Sequence, residues 1–67
     1  MRIELNGRVV DIAGGATVAD AVSASGAEQR RGVAVAVEGE VVPRSEWEST
    51  PLQEGQSVEV LHAVQGG

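Results

Sequence analysis

The pair Gly66-Gly67 that ends the 67-residue sequence is where chemistry is sought first, because the side chains offer so little of it. There is no cysteine, so no disulfide, no thiolate ligand for zinc and no side-chain persulfide can form. The one histidine, His62, cannot hold a metal alone, and no motif places an Asp or Ser beside it as a catalytic partner. A main-chain carboxylate at Gly67 is a weak electrophile. Activated by ATP as an acyl-adenylate and then attacked by a sulfur nucleophile, it becomes a thiocarboxylate, the protein-borne form of sulfur left to a chain without cysteine. Gly66, with no Cβ, suits a tail that must thread a narrow channel. Ordering such a tail costs roughly 1–2 kcal/mol per backbone residue, which the body must offset by docking. The competing reading is that glycine is common at frayed ends, and nine glycines in the chain make a chance pair unsurprising.

Composition narrows the classes around that tail. A single domain of this length buries only about 60% of the surface its unfolded chain exposes, so a large enzymatic pocket of its own is not expected. The apolar residues are mostly Val and Ala with one aromatic, Trp47, and their share is that of a globular chain. A net charge of −5 opposes nucleic-acid binding and favours partners with basic surfaces. No apolar run approaches the ~20 residues needed to span a bilayer, and the start, MRIELNG, carries charge at once and lacks the apolar core of a signal peptide. A cytoplasmic protein is the expectation.

The elements that must hold the tail follow from alternation and turn chemistry. Arg2, Ile3, Glu4 and Leu5 alternate polar and apolar as a half-buried strand. Asn6-Gly7 is a two-residue hairpin signal, and Arg8 to Ile12 reads as the return strand, with Val10 and Ile12 joining Ile3 and Leu5 on one face. After Gly14-Gly15, a turn without the spacing or lysine of a phosphate loop, Thr17 with Asp20 three residues on opens a short helix through about Ser25, and Gly26 ends it. Gln29-Arg30-Arg31-Gly32 is a polar connection. Val33 to Val37 alternates Val with Ala, which predicts a strand buried on one face and closely covered on the other. Glu38-Gly39 turns into a short strand, Glu40 to Val42, stopped by Pro43. Arg44 to Thr50 reads as a loop or a single helical turn, and Pro51 to Gly55 as another turn. Ser57 to Val64 is the last strand. This order implies an α+β layer, a mixed sheet of four to five strands with one helix across a face. The chain divides into a domain over 1–64 and a flexible tail over 65–67.

In the last strand, alternation puts Val58 and Val60 on one face and Glu59, Leu61 and Ala63 on the other. If Val58 and Val60 meet the helix, Leu61 and Ala63 are exposed just before the tail and, with Gln65, are candidates for docking a partner. The alternative is that a neighbouring loop covers them. Trp47 either closes one end of the core or anchors a partner; the lack of any other aromatic favours the core. Arg44 is a solvated charge at a strand stop or the mate of an acidic partner group.

These residues together resemble a known family. The N-terminal hairpin with Asn6, the Val-Ala strand leading through a Gly turn into Val41-Val42-Pro43-Arg44, Trp47 three residues later, then Leu52, Glu54-Gly55, a Val-rich strand and Gly66-Gly67 are similar to the ThiS sulfur carriers of thiamine thiazole synthesis, over the whole chain. Where that family often has a longer aliphatic or aromatic residue, this chain has His62 and Ala63. The resemblance implies the ubiquitin-like β-grasp fold, with the first and last strands parallel at the sheet centre. It also implies a carrier that is a co-substrate rather than an enzyme, is a monomer when free and binds no cofactor. A ThiF-type adenylating enzyme would activate Gly67 with ATP, and a cysteine desulfurase would be the indirect source of sulfur. A ThiG-type thiazole synthase would receive the thiocarboxylate and build the ring from a deoxyxylulose phosphate intermediate and a glycine-derived imine. In such proteins the body docks through its sheet face and last strand. Rival readings are a carrier for molybdopterin or cysteine synthesis, a ubiquitin-like modifier joined to lysines, and a plain binding module with an idle tail.

Overall fold

A computed structural model of the chain describes residues 1–27 and 32–62. Strand β1, Arg2–Leu5, pairs antiparallel with β2, Arg8–Asp11, in the register Ile3↔Val10 and Glu4↔Val9. The turn between them holds Asn6 at φ 52° and Gly7 at φ 82°, the two left-handed positions that match the twist of a tight hairpin. The alternation of β1 is realised as expected: Ile3 and Leu5 are buried, and Arg2 and Glu4 face water. Val10 and Ile12 pack against the same core at its margin.

Helix α1, Val18–Ser25, begins at a capping box, in which the Asp20 carboxylate accepts from the Thr17 backbone N–H at 2.8 Å. It ends in a Schellman motif. Gly26 takes φ 80°, its N–H bonds Ser23 O, and the Ala27 N–H bonds Val22 O. Val22 and Ala27 are both buried, the apolar contact that accompanies this motif. An eight-residue helix is too short to persist alone. What holds it is the apolar face of Val18, Ala21 and Val22 laid on the sheet. The connection expected at Gln29-Arg30-Arg31 lies outside the described residues.

Strand β3, Ala34–Val37, turns at Glu38-Gly39 (φ 51° and 82°) into β4, Glu40–Val42. The expectation that β3 is closely covered on both faces is corrected: Val35 is buried, but Ala34 is exposed and Ala36 only half-buried. One helix cannot cover two faces of a sheet, and the alanines mark the bare one. The stretch after Pro43 is more regular than a loop or single turn, forming a 3-10 helix over Arg44–Ser49 with Trp47 buried beneath it. It is tied to the entry of α1 by the Val18 N–H to Thr50 O bond and by the Leu52 N–H to Ala16 O bond.

Strand β5, Ser57–Leu61, closes the sheet from the middle. It runs parallel to β1 (Glu4↔Ser57, Leu5↔Val58) and antiparallel to β3 (Ala34↔Leu61, Ala36↔Glu59), giving the order β2-β1-β5-β3-β4. This is the β-grasp arrangement, five strands with one helix across a face. The last strand stops at Leu61 rather than reaching Val64 within the described residues, and His62 beyond it is exposed and not in the sheet. The boundary expected between a domain over 1–64 and a tail over 65–67 lies outside the described residues. The core comprises Ile3, Leu5, Val18, Ala21, Val22, Val35, Leu52, Val58 and Val60, with Trp47 closing the end beside the 3-10 helix.

Candidate functional site

Alternation along β5 sends Val58 and Val60 into the core, where they are essentially inaccessible, and Glu59 and Leu61 to the opposite face. Leu61, the docking candidate that falls on described residues, is 63% exposed. Ala63, Gln65 and the Gly66-Gly67 pair lie outside the described residues. Because β5 lies between β1 and β3, the chain leaves the sheet from its centre rather than from an edge.

Leu61 is not alone on that face. Register sets Ala34 directly beside it, and Ala36 beside Glu59 and Val41. These residues, with the backbone of Val35, line a shallow depression of about 100 Å³. Val41 is 76% exposed. Sequence reasoning missed it for a definite reason. Val41 and Val42 are adjacent and alike, and only the pairing Ala36↔Val41 decides which points outward. This part of the face, over β3, β4 and the end of β5, is therefore an apolar patch in which Glu59 is the one carboxylate among alanines and aliphatic side chains.

The other face belongs to packing. Trp47 is 7% exposed, and its indole N–H donates to Val42 O at 2.9 Å. The Arg44 guanidinium carbon lies 5.2 Å from the centre of the indole ring, a cation–π contact on the solvent side. These two residues, with Ala19, Val22, Ser45 and Glu48, border an open groove between α1 and the 3-10 helix. The core reading of Trp47 is thus the one realised, and Arg44 rests on the indole as well as in solvent.

Among the described residues no polar or charged side chain is buried, and no three His, Asp or Glu side chains are grouped to hold a metal ion. No helix of the described residues is long and apolar enough to cross a membrane. What the described residues do present is an exposed face beside the end of β5.

Comparison with known proteins agrees with the architecture. Among curated proteins none matches the chain. The crystal structure of the thiamine biosynthesis protein (ThiS) from Geobacter metallireducens superposes with a TM-score of 0.80 at 30% sequence identity, covering 100% of both chains. The solution structure of a thiamine biosynthesis protein from the same organism superposes with a TM-score of 0.80 at 33% identity, covering 100% of this chain and 88% of that one. A model of the ThiS family matches residues 3–67, so that with this match over nearly its whole length the chain belongs to the ThiS family.

Proposed function

We propose that this protein is a sulfur carrier of thiamine biosynthesis whose reactive group is the Gly67 carboxylate. The carboxylate oxygen attacks the α-phosphorus of ATP on an adenylating enzyme of the ThiF type, forming the acyl-adenylate and releasing pyrophosphate. A sulfur nucleophile derived from a cysteine desulfurase then displaces AMP from the acyl carbon. Hydrosulfide gives the thiocarboxylate directly; a persulfide gives an acyl disulfide that a second thiol must cleave. The thiocarboxylate is delivered to a thiazole synthase of the ThiG type. The carrier is consumed and regenerated as a co-substrate, and ATP binds the partner rather than this chain.

The observation that carries the reading is the place of β5 at the centre of the sheet, beside an exposed apolar face, in a chain whose sequence runs from that strand to Gly66-Gly67. An apolar face on the strand that leads in sequence to a glycine tail suits an enzyme that grips the body and reaches the tail. Within that reading Leu61, Ala63 and Gln65 dock the partner, joined by Val41 and the alanines of β3. Glu59 at the centre of the patch, on a chain of net charge −5, calls for a partner face that is apolar with a basic group set in it.

Leu61→Asp tests the docking face. Leu61 lies outside the core, so stability is expected to stay within about 0.5 kcal/mol. Affinity for the adenylating enzyme should fall by about tenfold or more, since a carboxylate would be desolvated in an apolar contact. Titration calorimetry with the catalytically idle enzyme measures this, and binding equal to wild type would remove Leu61 from the interface. The chemical half of the reading is tested by carrier-dependent exchange of pyrophosphate into ATP on the enzyme; no exchange above the enzyme alone would count against it.

A further inference from the structure

Asn6 does more than shape a turn. The parallel ladder between β1 and β5 is built from the Glu4 N–H to Gln56 O and the Asn6 N–H to Val58 O bonds, both 2.9 Å. The next rung on β5 is Val60, whose N–H and C=O face the β1 side, as the Val58 carbonyl does two residues earlier. By then β1 has ended and the chain has reversed through Gly7 into β2. The Asn6 side chain fills the missing rung. Its Nδ2 donates to Val60 O at 3.2 Å, and its Oδ1 accepts from the Val60 N–H at 2.8 Å. Only a side-chain amide of this length offers a donor and an acceptor together as a peptide group does. The backbone at φ 52° is also one that asparagine tolerates better than most residues. The other end of β5 is held in the same manner by the first residue of the other tight turn. Glu38 accepts the Ser57 N–H on Oε2 at 2.6 Å and donates its own N–H to Ser57 O at 2.8 Å.

We infer that Asn6 is a positioning residue for the carrier's tail: its amide clamps the C-terminal end of β5 through Val60, fixing where the chain leaves the sheet and how Leu61 is presented beside that exit. The inference rests on the carrier reading. With the clamp removed, the antiparallel partner β3 still holds Glu59 and Leu61, so the strand persists, but its end is tethered on one side only. The docked body then delivers Gly67 to the adenylation site less often, and turnover suffers more than affinity.

Asn6→Gly is the informative variant, because a Gly-Gly turn keeps the left-handed backbone and removes the amide. Asp20→Ala, which loses the α1 cap far from this strand end, serves as a control of lowered stability. In the free protein, hydrogen exchange by NMR should show the Val60 amide exchanging about tenfold or more faster in Asn6→Gly, with Glu59 and Leu61 little changed. With the adenylating enzyme, kcat for acyl-adenylate formation should fall about tenfold while KM for the carrier changes less than threefold, and Asp20→Ala should keep the wild-type kcat. Unchanged Val60 exchange in Asn6→Gly overturns the clamp. Faster exchange with wild-type kcat, or an equal loss of kcat in Asp20→Ala, overturns the positioning role. A wild-type chain that is not adenylated at all overturns the carrier reading and the positioning role with it, and the Val60 exchange then stands as a fact of folding only.

Discussion

Trp47→Ala is expected to lower the free energy of unfolding by about 3–5 kcal/mol, the usual cost of emptying a large aromatic site. That is comparable to the entire ~3–5 kcal/mol that a core of this size supplies, so the variant should be largely unfolded at room temperature. Three losses combine. The ring leaves a void at the end of the core beside Val22 and the 3-10 helix. Val42 O loses the indole donor, and Arg44 loses the ring face on which it rests. Trp47→Phe separates these effects. It retains much of the apolar volume but no donor, and should cost on the order of 1–3 kcal/mol, with each kcal/mol lowering the melting temperature by roughly 4–8 °C. Far-UV circular dichroism is the measurement, since Trp47 is the sole aromatic and its replacement removes the fluorescent probe. A Trp47→Ala variant that melts with the wild type but no longer binds the adenylating enzyme would make Trp47 a partner contact instead.

The second large effect concerns chemistry with the fold left alone. Semisynthetic protein ending in a Gly67 carboxamide should give no acyl-adenylate and accept no sulfur, because an amide lacks the anionic oxygen that attacks the α-phosphorus. Its melting temperature should equal that of the wild type, as the last core residue among the described ones is Val60. Adenylate formation and thermal melting together read this out. Residual sulfur transfer to the carboxamide would place the reactive group elsewhere in the chain.

How far the sequence carries toward this picture depends on whether the governing interactions are local. Asn6-Gly7 and Glu38-Gly39 announce their hairpins because each turn needs two left-handed residues in succession. Thr17, Asp20 and Gly26 bound the helix because its unpaired terminal groups must be satisfied nearby. Alternation in β5 sets Val58 and Val60 on one face and Leu61 on the other, and the packing of the two valines in the core decides which face is outward. What depends on pairing across the sheet is not legible in this way. The parallel contact of β1 with β5 joins the two ends of the chain, and the resemblance supplied it where periodicity was silent. Val41 cannot be told from Val42 until the register with Ala36 is known, which is why half of the apolar face escaped notice. The Asn6 amide could be read for its turn but not for its bonds to Val60, more than fifty positions along. Arg44 to Ser49 reads poorly because Ser and Glu suit loops and short helices alike, and the buried indole decides between them.

The central claim, that Gly67 carries sulfur as a thiocarboxylate, is tested most directly by mass spectrometry of the protein after incubation with ATP, a ThiF-type adenylating enzyme, a cysteine desulfurase and cysteine. The account predicts replacement of a single oxygen by sulfur in the intact protein, dependent on ATP and localised to the C-terminal peptide containing Gly67. An unchanged mass under conditions in which a known carrier is converted, or sulfur located on any other residue, would contradict it.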